Sequence, residues 1–302
     1  MLNVIETKDL TKSYSSVSVV DKVNLSIQKG EIFGFLGRNG AGKSTFINIL
    51  TGIIQPTSGD FSLMGVRGPN DRVKQQIGVM PDYVTFYSSL TPVKHLRMFA
   101  ALSGNPVSKT QCIDVLEKVG LMAHAYKKTA KFSFGMKKKL GIAIAIIHDP
   151  ELIFLDEPTS GLDAESVLLI HKLIRELQQK GKTIFMTSHN LDEVEKICTR
   201  IAIMKDGRIV KIGTIDELRS FYRSTIRLKV KHSGIPAKDR ENIYQWLRLN
   251  GTELEAADTH FLINVNEEKK IAEVIRALNQ IKVDVLRVEV EEPTLEEIFL
   301  EE

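Results

Sequence analysis

The nine residues GRNGAGKST at 37–45 set Gly37, Gly42, Lys43 and Ser44 at the spacing G-x-x-x-x-G-K-[ST]. That arrangement suits a chain of phosphates. Glycines let successive backbone N–H groups turn inward, a helix starting there adds positive potential, and a lysine neutralises the outer phosphate oxygens. Ser44 offers a hydroxyl to Mg2+. The stretch follows an apolar strand, EIFGFL at 31–36, and precedes the apolar FINIL at 46–50. A glycine turn with an incidental lysine would need no such flanks, so nucleotide binding is the firmest reading of the chain.

A second constellation is LIFLDEPTSGLD at 152–163. Four consecutive apolar residues describe a buried strand, and Asp156 and Glu157 emerge at its C-terminal end, where open α/β sheets place their ligands. Asp156 suits the shell of a Mg2+ ion and Glu157 the polarisation of an attacking water. Read alone, the two acids have a lesser alternative, capping the helix that follows Asp163. His189, in IFMTSHN, lies just past another apolar strand and can reach the same sheet edge. By itself a strand-end histidine is more often a structural residue than a catalytic one.

A third segment, FSFGMKKKL at 132–140, joins one glycine to three lysines and is followed by GIAIAII. It could be a nucleic-acid patch, another phosphate loop or a solvated helix face.

The elements that must position these residues follow from the patterning. Strands are expected at 31–36, 76–80, 152–156, 183–187 and 201–204, alternating with amphipathic helices as in a parallel or mixed sheet with crossovers. Between Pro92 and Leu140 the strand signal disappears, and Ser108 with Gln111 makes a capping box for the helix carrying Cys112. This predicts a helical subdomain, about 84–148, inserted into the sheet domain. RIAIMKDGRIVKI at 200–212 reads as a hairpin turned at Asp206-Gly207, and Thr214 with Glu217 caps a short helix. From 222 onward the order becomes strand (225–231), helix (237–249), strand (252–256), strand (260–265), helix (267–280), strand (283–290), which suggests a small ferredoxin-like α+β domain. Thr294 and Glu297 would cap a last helix with Leu295, Ile298 and Phe299 on one face. The expected domains are therefore 1–221 and 222–302.

Bulk properties bound the function classes. A chain of 302 residues with 43% apolar content can fill two cores. Its 41 basic and 38 acidic residues are well mixed, so no global field points to nucleic acid or an anionic membrane. Cys112 and Cys198 belong to no metal-binding spacing and read as buried thiols, in keeping with a reducing cytosol. MLNVIETKDL has no signal-peptide pattern, and the apolar runs fall short of the roughly 18–20 residues that span a bilayer. Any membrane role is expected to be borrowed from a partner.

Taken together, the phosphate loop, the 132–140 segment, the strand ending in Asp156-Glu157, SGLD and the histidine resemble the nucleotide-binding subunit of ATP-binding cassette (ABC) transporters over roughly residues 3–220. The resemblance implies an α/β P-loop NTPase cassette with a mixed sheet and a helical insertion, ATP and Mg2+ as its ligands, and ATP hydrolysis. It implies that Tyr14 stacks on adenine and that Gly37, Asn39, Gly40, Ala41, Gly42, Lys43, Ser44 and Thr45 hold the phosphates. Ser44 and Asp156 would form the Mg2+ shell, Glu157 would be the base, and His189 would sense the γ-phosphate. Ser133 and the backbone at Gly135 would cap the ATP of a second cassette, and Asp163 would bridge to that subunit. The lysines at 137–139 would then lie on a solvated helix face.

Two departures from the family pattern stand out. Phe132, Ser133, Phe134, Gly135 and Met136 replace Leu-Ser-Gly-Gly-Gln, and Asp82 stands where glutamine or glutamate is usual after the proline of IGVMPDYVTFY. Asp82 can still reach toward Mg2+ or its water, and 83–96 would be the surface that couples to a membrane partner. Residues 222–302, ending in PTLEEIFLEE, resemble the accessory domain of the bacterial drug- and ion-export branch. The expected partners are integral membrane permease subunits and a second cassette, not nucleic acid, with the chain on the cytoplasmic face of the membrane. The competing reading is a soluble ABC ATPase acting on ribosomes or DNA.

Overall fold

The computed structural model describes residues 2–83, 85–222 and 226–291. The chain begins with two long antiparallel strands, β1 (Asn3–Tyr14) and β2 (Val17–Gln28), and continues through β3 (Ile32–Leu36) into helix α1 (Lys43–Leu50). Strands β4 (Ser58–Leu63) and β5 (Val66–Arg67) complete an antiparallel sheet of order β2-β1-β4-β5. The sequence reading missed this sheet. Its period-2 signal is broken by register shifts along β1 and by left-handed residues at Asp9 and Lys22 (φ 47° and 48°), so apolar positions slip out of alternation.

After the short α2 (Asp71–Lys74) and β6 (Ile77–Met80) come three helices, α3 (Pro92–Leu102), α4 (Lys109–Lys118) and α5 (Phe134–Ile146), which pack on one another as the expected helical insertion. The Ser108–Gln111 capping box is present at the start of α4. Then follow β7 (Leu152–Leu155), α6 (Ala164–Gln179), β8 (Thr183–Ser188), α7 (Leu191–Ile197) and the hairpin β9 (Arg200–Lys205) and β10 (Arg208–Gly213). The second sheet runs β10-β9-β3-β8-β7-β6, parallel except for β10 at its edge.

Register aligns the strand ends. Leu36 pairs with Ser188, Leu155 with Met186 and Met80 with Leu155, so the loops after β3, β8, β7 and β6 leave from one edge. Beneath that edge Phe35, Phe46, Phe154 and Phe185 are fully buried. Phe35 lies 5.0 Å from Phe46 and 5.4 Å from Phe185, centroid to centroid, which ties α1 to the strands it must stand upon. Helix α5 approaches β6 so closely that a Cβ at Gly78 would fall 1.9 Å from the Ala145 carbonyl oxygen. Only glycine fits there. Both cysteines are buried and free.

The chain divides into two compact units, Met1–Thr214 and Ile215–Glu302, with α8 (Ile215–Tyr222) in the second. The second unit continues with β11 (Ile226–His232), α9 (Ala237–Asn250), β12 (Thr252–Ala256), β13 (His260–Val265), α10 (Lys269–Gln280) and β14 (Val285–Glu291). Its sheet is antiparallel in the order β12-β13-β11-β14, the split βαβ arrangement of a ferredoxin-like domain. Its core is separate, built on Leu228, Val230, Phe261, Ile263, Val274 and Leu278. The helix expected after Thr294 lies outside the described residues.

Candidate functional site

The phosphate loop spans Gly37 to Gly42 between β3 and α1. Gly42 is the N-cap of α1 at φ 106°, and a Cβ on it would meet the Val19 carbonyl oxygen at 2.2 Å. The helix begins without a side-chain cap, which leaves the positive end of its dipole to a ligand. Asn39, Gly40 and Ser44 are exposed, Thr45 is half-buried, and Ala41 turns inward. Lys43 is only 6% exposed, and its ammonium donates to the carbonyls of Gly37 at 2.6 Å and Arg38 at 3.3 Å. The loop thus holds its own cation at the place where phosphate oxygens would claim it.

Asp156 is buried at the end of β7, where Thr187 donates its hydroxyl to Asp156 Oδ1 at 2.5 Å. The same hydroxyl accepts from the Glu157 N–H at 2.9 Å. Glu157 sits in the left-handed region at φ 52° and is 12% exposed. Its Oε2 is 2.8 Å from His189 Nδ1. A carboxylate only accepts, so Nδ1 donates to it from an exposed ring. The other oxygen, Oε1, is 3.7 Å from Lys43 Nζ and is buried without a hydrogen-bond partner. Lys43, Glu157 and His189 are therefore one cluster, as the sequence order implied.

Ser133 caps α5, accepting from the Met136 N–H at 3.3 Å, and its neighbours Phe134 and Gly135 present the helix start at the surface. Phe134 is 52% exposed and packs its ring on Gly161. Asp163 caps α6, taking the Ser166 N–H at 2.9 Å and the Ser166 hydroxyl at 2.8 Å. Those two bonds hold its carboxyl below the usual aspartate value. Tyr14 is half-exposed at the end of β1, with Lys12 Nζ 5.2 Å from its ring centroid. These groups stand on elements other than those carrying Lys43, Glu157 and His189.

One expectation is corrected. Lys138 is not on a solvated face; it is 2% exposed. Its ammonium donates to Asp82 Oδ1 at 3.1 Å and to the Glu157 backbone carbonyl. From Leu140 onward helix α5 is apolar and largely buried, and Lys138 heads a buried stripe through Ile142 and Ala145. The i, i+4, i+7 spacing of those residues was a signal in the sequence. Asp82, expected to reach toward Mg2+, thus has Oδ1 engaged by Lys138. Thr187 was missed altogether, because a threonine ending an apolar strand looks like any other β-branched residue.

The residues fit a magnesium nucleotide. Glu157 Oε1 is orphaned, the hydrogen bonds of the Lys43 ammonium go to main-chain carbonyls with Glu157 Oε1 3.7 Å away, and the buried Asp156 carboxylate shares the Thr187 hydroxyl with the Glu157 N–H. Hard oxygen donors of this kind suit Mg2+.

Comparison with known proteins agrees. Residues 20–160 match the family described as ABC transporter, and residues 213–302 match the C-terminal domain of DrrA1-3-like ATP-binding proteins. An AAA-domain family, described as putative AbiEii toxin, Type IV TA system, overlaps at 127–195 but omits the phosphate loop. The linearmycin resistance ATP-binding protein LnrL of Bacillus subtilis is 32% identical over 302 residues, 98% of this chain and 97% of its own. The bacitracin transport ATP-binding protein BcrA of Enterococcus faecalis is 40% identical over 244 residues, 80% of this chain and 79% of its own. A solved ATP-binding subunit of an ABC transporter superposes with a TM-score of 0.66 at 31% identity, covering 72% of this chain and 93% of that one. A dimeric cassette in a post-hydrolysis state with ADP and Pi, at 24% identity and a TM-score of 0.66, shares the fold. The bacitracin relative is named for transport and the solved relative at 31% identity is a transporter subunit, which disfavours the ribosome or DNA reading. With a phosphate loop, an acid pair and a histidine on one sheet edge, and identity to such subunits along nearly its whole length, the chain belongs to the ATP-binding subunits of ABC transporters, which bind and hydrolyse ATP.

Proposed function

We propose that this subunit powers an exporter by hydrolysing Mg-ATP between two cassettes, and that Glu157 is the general base. The observation that carries the reading is the state of the Glu157 carboxylate: Oε2 is fixed by His189 while Oε1 is buried, partnerless and 3.7 Å from Lys43. An oriented carboxylate with one uncommitted oxygen can take the proton of a water attacking the γ-phosphorus, while the bond to the bridging oxygen breaks and ADP leaves with its electrons. Lys43, freed from the Gly37 and Arg38 carbonyls, neutralises the phosphate oxygens. Ser44 and Asp156 would hold Mg2+, which supplies further charge neutralisation when bound. His189 would meet the γ-phosphate through Nε2 as an imidazolium, in which Nδ1–H stays on Glu157 and Nε2–H donates to a phosphate oxygen.

Ser133, the Gly135 backbone and Asp163 would serve a second cassette across a two-fold interface, each being at an exposed helix start. Among the described residues no helix is long and apolar enough to cross a membrane, so transport requires permease subunits, with this chain on their cytoplasmic side. Tyr83 and Tyr87, both largely exposed, present aromatic surface for that contact. The names of the linearmycin and bacitracin relatives point to an antibiotic-like cargo. Glu157→Gln tests the core of the reading. It should keep ATP binding and lower turnover by about 100-fold or more, the usual worth of a general base. Wild-type turnover in that variant would remove Glu157 from the role.

A further inference from the structure

Burying an ammonium to 2% exposure costs its hydration, and a buried ion pair is a poor stabiliser compared with an apolar side chain of the same shape. Lys138 occupies a position where methionine would pack, so its charge calls for a directional purpose. Its partners supply one. Asp82 Oδ1 lies on the loop after β6, the Glu157 carbonyl lies on the loop after β7, and the Phe134 ring, one turn earlier on α5, is centred 5.5 Å from the same nitrogen. One cation thus joins the first turns of α5, the Asp82 loop and the main chain of the base.

The bonds at Glu157 are arranged to fix its rotation. A non-glycine residue in the left-handed region is disfavoured by about 1–2 kcal/mol and must be held by its neighbours. The Glu157 N–H goes to Thr187 Oγ1, and the Glu157 carbonyl accepts from Lys138 Nζ and, at the longer distance of 3.4 Å, from the Ser160 N–H. These bonds grip the peptide groups on either side of the Glu157 Cα, so together they set φ and ψ and hence the direction of the carboxylate toward His189 and Lys43.

We propose that Lys138 is a positioning residue for ATP hydrolysis, clamping the Glu157 main chain and tying the aim of its carboxylate to Asp82 and to α5. The proposal rests on Glu157 being the base. Movement of α5 or of the Asp82 loop would then reorient Glu157 through Lys138, a route inside one subunit that needs no contact from the ammonium to nucleotide.

The test is steady-state ATP turnover and nucleotide affinity of the full chain carrying Lys138→Met, Asp82→Asn and both, with thermal unfolding as a control. Lys138→Met should lower kcat about ten-fold or more, as befits loss of a charge-assisted hydrogen bond, with KM and nucleotide Kd within about two-fold of wild type. The double variant should be no slower than Lys138→Met alone, because the two residues act through one bond network. If Lys138→Met does not fold, Lys138→Leu, which also lacks a donor, gives the same split between kcat and KM. The proposal is overturned by kcat within two-fold of wild type, by a parallel loss of nucleotide affinity, or by additive effects in the double variant. An inactive Glu157→Gln beside an active Lys138→Met would remove only the positioning role, whereas an active Glu157→Gln would remove the base.

Discussion

Replacing Thr187 with valine isolates the polar joint on which the acid pair depends. The side chain is fully buried, and valine reproduces its shape while deleting the hydroxyl that donates to Asp156 and accepts from the Glu157 N–H. A hydrogen bond to a charged group is worth about 1.5–3 kcal/mol and a stranded buried N–H costs about 1–3, together about 2.5–6 kcal/mol. In a unit the size of Met1–Thr214, each kcal/mol lowers Tm by about 2–4 °C, so the cassette's melting point should fall by at least about 5 °C. Glu157, released on its N-terminal side, would relax from φ 52° and carry its carboxylate away from His189, and turnover should fall about ten-fold or more. Thermal unfolding and ATP turnover of Thr187→Val, with Thr187→Ser as the hydroxyl-retaining control, measure both effects. A valine variant that melts within about 2 °C of wild type and turns over at its rate would refute the reasoning.

Phe134→Gly deletes a half-exposed ring from the start of α5 without touching the phosphate loop. Nucleotide affinity of the isolated subunit should stay within about two-fold while dimer-dependent turnover changes, because the effect is on closure and not on binding; a large change in monomer affinity would contradict the assignment. Ser166→Ala removes the side-chain donor to Asp163 and leaves the backbone one. Asp163 has a depressed folded-state pKa, so its contribution to stability is complete above the ordinary value of 3.8 and is lost as pH falls through the lowered folded value. The variant should therefore raise the Asp163 titration toward 3.8 and move that loss to higher pH, as read by carboxyl NMR; an unmoved titration would count against the Ser166 hydroxyl as its cause.

The parts of the molecule that announced themselves in the sequence are those with an unbroken local pattern. The parallel strands β3, β7 and β8 are short apolar runs because they are covered on both faces, and their ends are marked by the polar residues of the site. The βαββαβ order of the second unit was readable for the same reason, with one face of each strand buried in regular alternation along β11 and β13. The antiparallel sheet was not, since bulges in β1 displace its apolar residues from a fixed period. Site residues followed the same division. Gly37, Lys43, Asp156 and Glu157 sit in one contiguous stretch each, whereas Thr187 becomes informative only when its hydroxyl is seen between two residues 30 and 31 positions away.

Lys138 shows how a correct local reading can miss a function. Three consecutive lysines on a helix sweep about 200° of its circumference at 100° per residue, so a helix enclosed on most sides must bury one of them. Lys137 is exposed, Lys139 is half-buried, and Lys138 points into the subunit. A run of like charge predicts solvent only while its members share a face, and on a helix they cannot. What then decides the matter is whether the inward lysine finds oxygen, and here the oxygens come from Asp82 and Glu157, 56 and 19 residues away in opposite directions along the chain. The burial that hid Lys138 from the charge pattern is the same burial that lets one ammonium address two loops of the site at once. In a solvated position its bonds would be exchanged with water and would direct nothing.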